Sequence, residues 1–162
     1  MTVLEHEAGR WRRVHSELVE CRTDRHSDSE ITDIACDRLG QLVESMHPAL
    51  VALEWVEYQG AERAGQIVRL GPLCGALRRQ FVSEYGPSMI VTPTRTQVLA
   101  RLGCHRSEDG DTFVRRLVKG SAGLATSHEV TAAAVAIVGL QIWRAGELVK
   151  RKLANRDRRK SA

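Results

Sequence analysis

The stretch Pro48-Ala49-Leu50-Val51-Ala52-Leu53-Glu54-Trp55-Val56-Glu57-Tyr58 can be read in two ways. Pro48 suits the first turn of a helix, where its missing N–H would lack a partner in any case. Val51, Leu53 and Trp55 also alternate as the covered face of a strand does. Periodicity alone does not choose between these. The segment that follows, Gln59 to Val68 with Gly60 and Gly65, reads as a turn or loop leading into a short extended piece. The fold class expected for the chain depends on what surrounds this ambiguous section.

On the amino-terminal side, Leu4, Ala8, Trp11, Leu18 and Cys21 recur at helical spacing, with Val14 and His15 at the edge of the stripe. They predict an amphipathic helix of about four to five turns. Ser27 and Glu30 have capping-box spacing and start a second helix that buries Ile31, Ile34, Ala35, Leu39, Leu42, Val43 and Met46. Pro48 ends that helix, because the residue before a proline is pushed out of the α region. On the carboxyl side, Pro72 opens a helix with Leu73, Ala76, Leu77, Gln80 and Phe81, which Gly86-Pro87 stops. Thr92-Pro93-Thr94 opens a shorter helix with Val98, Leu99 and Leu102 inward, and Gly103 suits its left-handed cap. After a polar loop from Cys104 to Gly110, Asp111 can cap a brief helix carrying Phe113, Val114, Leu117 and Val118 up to Gly120. Thr126 and Glu129 form another capping-box pair, ahead of a long helix from Val130 to about Asn155. The expected fold class is mostly α. It is a helical bundle of about six to seven helices with the ambiguous middle section 48–70 and a long C-terminal helix. The expected organisation is a helical body over 1–103, a linker with a short helix over 104–128, and a long helix with a basic tail over 129–162.

With 162 residues, one core is the natural content of the chain. Apolar residues at 43% and charged residues at 27% exclude a disordered chain and a polytopic membrane protein. The net charge is +4, and 20 of the 24 basic residues are arginine, a bias that suits a GC-rich genome. Charge position is more informative. Lys150, Arg151, Lys152, Arg156, Arg158, Arg159 and Lys160 crowd the end of the chain with only Asp157 opposing them, so a mildly acidic body carries a basic tail. Such a tail can neutralise DNA phosphates, or merely complement the negative end of the last helix. The apolar run Val130 to Trp143 is shorter than the roughly 20 residues of a membrane helix, so no membrane association is expected. Val130, Ala133, Ala134, Ile137, Leu140 and Trp143 are expected on an oligomerisation face of a homo-oligomer. Cys21, Cys36, Cys74 and Cys104 are scattered, and the charged amino terminus has no leader character; a reduced, cytoplasmic location is expected.

No catalytic constellation is visible. None of the six histidines pairs with another His or a Cys at structural-zinc spacing. Gly120-Ser121-Ala122-Gly123 is not the nucleophile turn of hydrolases, and no Walker loop occurs. Glu54 and Glu57 would be neighbours on a helix, where paired acids usually solvate a face. A non-enzyme without metal or cofactor is expected.

The order of several short motifs resembles the small terminase subunits of tailed bacteriophages. These motifs are Gly9-Arg10-Trp11-Arg12-Arg13-Val14, then Asp28-Ser29-Glu30-Ile31 leading to Ala35-Cys36. Gln59-Gly60, Gly65-Gln66-Ile67-Val68, Gly71-Pro72-Leu73 with Leu77-Arg78-Arg79, and Thr92-Pro93-Thr94-Arg95 follow. The resemblance implies a non-enzymatic DNA-packaging protein in the host cell cytoplasm. It would form rings, bind viral DNA and pass it to the large terminase subunit, an ATPase-nuclease. On this reading Arg10, Arg12, Arg13, Arg95 and Arg101 join the tail, Lys150 to Lys160, as DNA contacts. Two alternatives are an oligomeric helical scaffolding protein and a small helical transcription regulator using Ile31 to Met46 or Thr94 to Leu102 in a DNA groove.

Overall fold

The computed structural model describes residues 1–19, 25–55, 64–104 and 107–160. The fold is α/β rather than a helical bundle, and the first correction falls at the amino terminus. Thr2–Glu7 (β1) and Arg10–Ser16 (β2) form an antiparallel hairpin where an amphipathic helix was expected. Its two-residue turn is Ala8-Gly9, with φ of +47° and +78°. Positive φ at both positions is what lets a tight turn follow the strand twist. Arg10, Arg12 and Val14 face solvent, whereas Trp11, Arg13 and His15 are half-buried, so the working period is two. The helix-like spacing of Leu4, Ala8 and Trp11 arises because the Ala8-Gly9 turn falls within it.

Asp28–Met46 (α1) matches the expectation. Ser27 Oγ accepts from Glu30 N at 3.3 Å, and Glu30 Oε2 accepts from Ser27 N at 2.7 Å. His47, in the left-handed region, donates its N–H to the Val43 carbonyl at 2.9 Å and ends the helix before Pro48. In the ambiguous section 48–70 the described residues are strand at Val51–Ala52 and helix from Ala64, where an extended piece was expected, and residues 56–63 lie outside the described ones. Val51–Ala52 (β3) pairs in parallel with Ile90–Val91 (β4). Between them runs Ala64–Tyr85 (α2), which starts well before Pro72 and passes through it. A proline inside a helix removes the bond to the carbonyl four residues earlier. Here that carbonyl belongs to Val68, which is 74% exposed, so water can serve it.

Arg95–Leu102 (α3) has its own capping box, Thr94 with Gln97, and Gly103 takes the left-handed cap with φ of +68°. Ser107–Leu117 (α4) begins earlier than Asp111, and Val118–Lys119 leave it to form a strand (β5) parallel to β2. The last helix is Ser127–Lys160 (α5). The architecture is therefore two small sheets, β1-β2-β5 and β3-β4, with α5 packed against both.

The larger core gathers Val98, Leu102, Val114, Val118 and Leu124 around Val130, Ala133, Ala134, Val135, Ile137 and Val138 of α5. The residues expected on an oligomerisation face are thus largely covered by this chain's own elements. Val130, Ala133 and Ile137 are fully buried, Ala134 is nearly so, and the half-buried Trp143 donates its Nε1–H to the Ser88 carbonyl at 2.9 Å. The apolar run packs inward because α4 and the hairpin, which the helical-bundle expectation lacked, supply its cover; α4 itself was expected as a shorter helix from Asp111. Helix α5 is long and apolar enough by length and composition to cross a membrane, but these same residues face the protein core. A smaller core joins Phe81 of α2 to Val43 of α1 and Val51 of β3.

Glu129 is the buried charged residue among the described ones. Its Oε1 accepts from Ser16 Oγ at 2.7 Å and its Oε2 from Thr126 N at 2.9 Å, while Thr126 Oγ1 accepts from Glu129 N at 3.2 Å. Thr2 Oγ1 donates to the Glu129 carbonyl at 3.1 Å, so this cap also fastens the hairpin to α5. The Ser16 hydroxyl first, then the Thr126 amide, hold the carboxyl below its ordinary pKa. A folded pKa below the unfolded one means the unfolded chain binds the extra proton. The contribution of Glu129 is therefore present above its unfolded pKa and is lost as pH falls through the folded value. Thermal unfolding from neutral pH down through the carboxylate range should show wild type losing more stability than Glu129→Gln. Parallel curves would contradict this assignment.

Candidate functional site at the carboxyl ends of the parallel strands

Beyond β3 and β4 the parallel pairing continues. Leu53 N donates to the Val91 carbonyl at 3.0 Å, and Trp55 N donates to the Pro93 carbonyl at 2.9 Å. This carries Glu54 and Trp55 off the end of one strand as Thr94 and Arg95 begin α3 off the end of the other. The carboxyl end of parallel strands is where open α/β sheets leave a crevice for ligands. Helix α5 closes the third side. It passes so near the sheet that a Cβ built on Gly139 would lie 2.6 Å from Ala52 Cβ and 3.0 Å from Val91 Cγ2, so only glycine fits there.

Three side chains meet in this corner. Arg95 Nη1 donates to Thr131 Oγ1 of α5 at 3.3 Å and lies 3.9 Å from Glu54 Oε1. Arg95 is 28% exposed and Glu54 36%, so the pair sits at the mouth of the crevice rather than in the core. From α2, Cys74 Sγ donates to the Glu54 carbonyl at 3.6 Å, which fastens the strand end from behind. The corner combines a fixed cation, a carboxylate and a hydroxyl. It can hold an anionic oxygen against a guanidinium, whose planar fork matches phosphate geometry.

Of the basic residues singled out from sequence, only Arg95 enters this corner. Arg10 is exposed on β2, Arg12 pairs with Glu5, and Arg13 donates from Nε to the Gly120 carbonyl at 3.1 Å, a structural role across the β2–β5 junction. Arg101 lies exposed in the last turn of α3. Lys150 pairs with Glu147 at 2.8 Å, and Arg151, Lys152 and Arg156 are exposed along the end of α5. The side chains of Arg158, Arg159 and Lys160 lie outside the described residues, as does Glu57. Thr131 and Cys74 were missed, because each lies on a helix remote in sequence from Glu54.

A hydrolytic centre for phosphodiesters commonly places two divalent ions between several oxygen donors. Among the described residues no group of three or more His, Cys, Asp or Glu could hold a metal ion. Among the described residues the carboxylate in the corner, Glu54, already faces the Arg95 guanidinium. The described donor set does not fit a divalent-metal centre, and no hydrolytic step is derived through one.

No protein-family profile and no curated protein matches the chain. Comparison of structures shows an α/β fold like that of RuvC. One solved structure it resembles is T. thermophilus RuvC in complex with a Holliday junction substrate, at a TM-score of 0.67 and 22% identity, covering 90% of this chain and 87% of that one. The likeness overturns the mostly α fold class and the small-terminase resemblance with its packaging function. The terminase motifs were short: Gly9 to Val14 lies on the β-hairpin of another fold, Thr92 to Arg95 follows β4 into α3, the motifs from Asp28 to Cys36 and from Gly65 to Arg79 fall on α1 and α2, and Gln59-Gly60 lies outside the described residues. The expectation of a non-enzyme is corrected with them, because the protein whose fold it shares is one that takes a Holliday junction as substrate.

Proposed function

We propose that the protein acts on branched DNA as a member of the resolvase class, recognising a junction by its shape and its phosphates. The observation that carries this reading is the fold likeness to RuvC bound to a Holliday junction, which spans nearly the whole chain. Charge supports it. The end of α5 holds Lys150, Arg151, Lys152 and Arg156, and Arg95 and Arg101 lie on α3, whose amino end opens the crevice. Phosphate contacts of this kind position a protein on DNA without reading sequence. Selectivity for a junction then comes from where several duplex arms can meet basic groups at once.

The test is a salt titration of binding to an immobile four-way junction and to a linear duplex of equal length, with strand scission followed in the same samples. The junction should bind at least about tenfold more tightly, within the range that separates specific from non-specific DNA binding. Deleting residues 150–162 should lower the log–log salt slope by roughly two to four, since each lost phosphate contact removes about 0.9. Equal binding to both DNAs would defeat the junction reading. An unchanged slope would make the tail only a solvated helix end.

A further inference from the structure

We propose that Arg95 supplies the positive charge at the carboxyl end of β3 and β4 that a divalent ion would otherwise provide, so that the crevice grips a DNA phosphate without metal. This deepens the DNA reading above and rests on it. The first support is position. Arg95 is the first residue of α3, so its guanidinium stands beside the amino end of a helix whose amides favour anions. The second is fixation. Thr94 and Gln97 cap that helix reciprocally, at 3.3 Å from Gln97 N to Thr94 Oγ1 and 3.1 Å from Thr94 N to Gln97 Oε1. Thr131 Oγ1, on a helix whose neighbouring residues are core, accepts from Nη1 and sets the side chain's direction. The third is the pairing itself. A carboxylate that would ligate a cation instead lies 3.9 Å from Arg95, so its charge is already balanced by a group the fold cannot lose.

Glu54 has a definite role on this account. It orients Arg95 and moderates its attraction for phosphate, since the carboxylate and an incoming phosphate compete for one guanidinium. The sign of its effect therefore separates this arrangement from a metal site. Removing a metal ligand weakens metal-dependent binding, whereas removing a competing anion strengthens binding.

Junction and duplex binding of the full chain would be measured by fluorescence anisotropy, in Mg2+ and in EDTA at matched ionic strength. Mn2+ binding to the protein alone would be followed by calorimetry. Affinity should be the same in Mg2+ and EDTA, and Mn2+ should give no saturable heat. Arg95→Ala should weaken binding about tenfold and lower the salt slope by about one, the mark of one lost phosphate contact. Arg95→Lys should restore the slope, because a point charge still meets phosphate. Glu54→Gln should tighten binding about two- to fivefold, the scale of removing one partly exposed opposing charge. Thermal unfolding of each variant guards against misfolding, and the lysine variant carries the test if the alanine variant unfolds.

Binding abolished by EDTA, saturable Mn2+ binding that Glu54→Gln removes, or an unchanged slope in Arg95→Ala would each overturn the proposal. Loss of junction preference with these arms intact would defeat only the junction reading, because the Arg95 contact is equally measurable on linear duplex.

Discussion

Gly139→Leu should destabilise the protein by at least about 3 kcal/mol, the upper part of the range for overpacking a filled core. The cause is local and specific. Even a Cβ at this position would meet Ala52 Cβ at 2.6 Å and Val91 Cγ2 at 3.0 Å, and these neighbours sit on short, paired strands that cannot swing away. Against a typical total stability of about 5–15 kcal/mol, this is a large fraction. The natural comparison is Gly146→Ala on the same helix. A Cβ there meets nothing within 4 Å, and the change should stabilise by up to about 1 kcal/mol through helix propensity. Urea midpoints for the two variants should move in opposite directions. Should Gly139→Leu unfold at the wild-type midpoint, the close approach of α5 to β3 and β4 would be wrong. Because Ala52 and Val91 lead directly to Glu54 and Arg95, the folded fraction of that variant should also bind DNA less well.

Phe81→Ala should cost about 3–5 kcal/mol, as truncating a fully buried aromatic usually does. Phe81 is wholly buried, stacks on Tyr85 with ring centroids 5.5 Å apart, and joins Val43 of α1 to Val51 of β3. Tyr85 packs on this core but is only partly buried, so Phe81 is its one fully buried ring among the described residues. Chemical denaturation of Phe81→Ala and Phe81→Leu should rank alanine well below leucine. A loss under about 1 kcal/mol for alanine would mean that this core is not packed as described. The change also reaches the crevice from the side opposite Gly139, since Val51 is one residue before Ala52.

What was legible in the sequence was short-range. The Ser27–Glu30 and Thr126–Glu129 boxes, the stop before Pro48 and the Gly103 cap depend on neighbours within a turn, and all appear where expected. The strands were not legible, because β3, β4 and β5 are two residues each and alternation needs at least four to register. Val51, Leu53 and Trp55 carried the right signal, but a strand this short is defined by a partner nearly forty positions away. In the hairpin the missed signal was Ala8-Gly9, a small-residue pair between two alternating runs. Helical spacing across it was an accident of the turn. The crevice was half legible. Arg95 was chosen for its motif and Glu54 was noted only beside Glu57, while Thr131 and Cys74 reach them from helices the sequence could not place.

The pairing of β2 with β5 has a consequence for how the chain is made. Trp11 meets Val118, and Ser16 and Thr2 bond to Glu129, so the hairpin is completed by residues made more than a hundred positions later. At about 5–20 residues per second, the nascent hairpin waits several seconds or longer with Trp11 and Leu4 uncovered. An isolated two-stranded hairpin is marginal in water, so it will open and re-form throughout that wait. Helices α1 and α2, which share the smaller core, are translated before α5 and can associate early. The hairpin can dock only after α5 leaves the ribosome, so on polysomes it should stay open to protease until α5 has emerged.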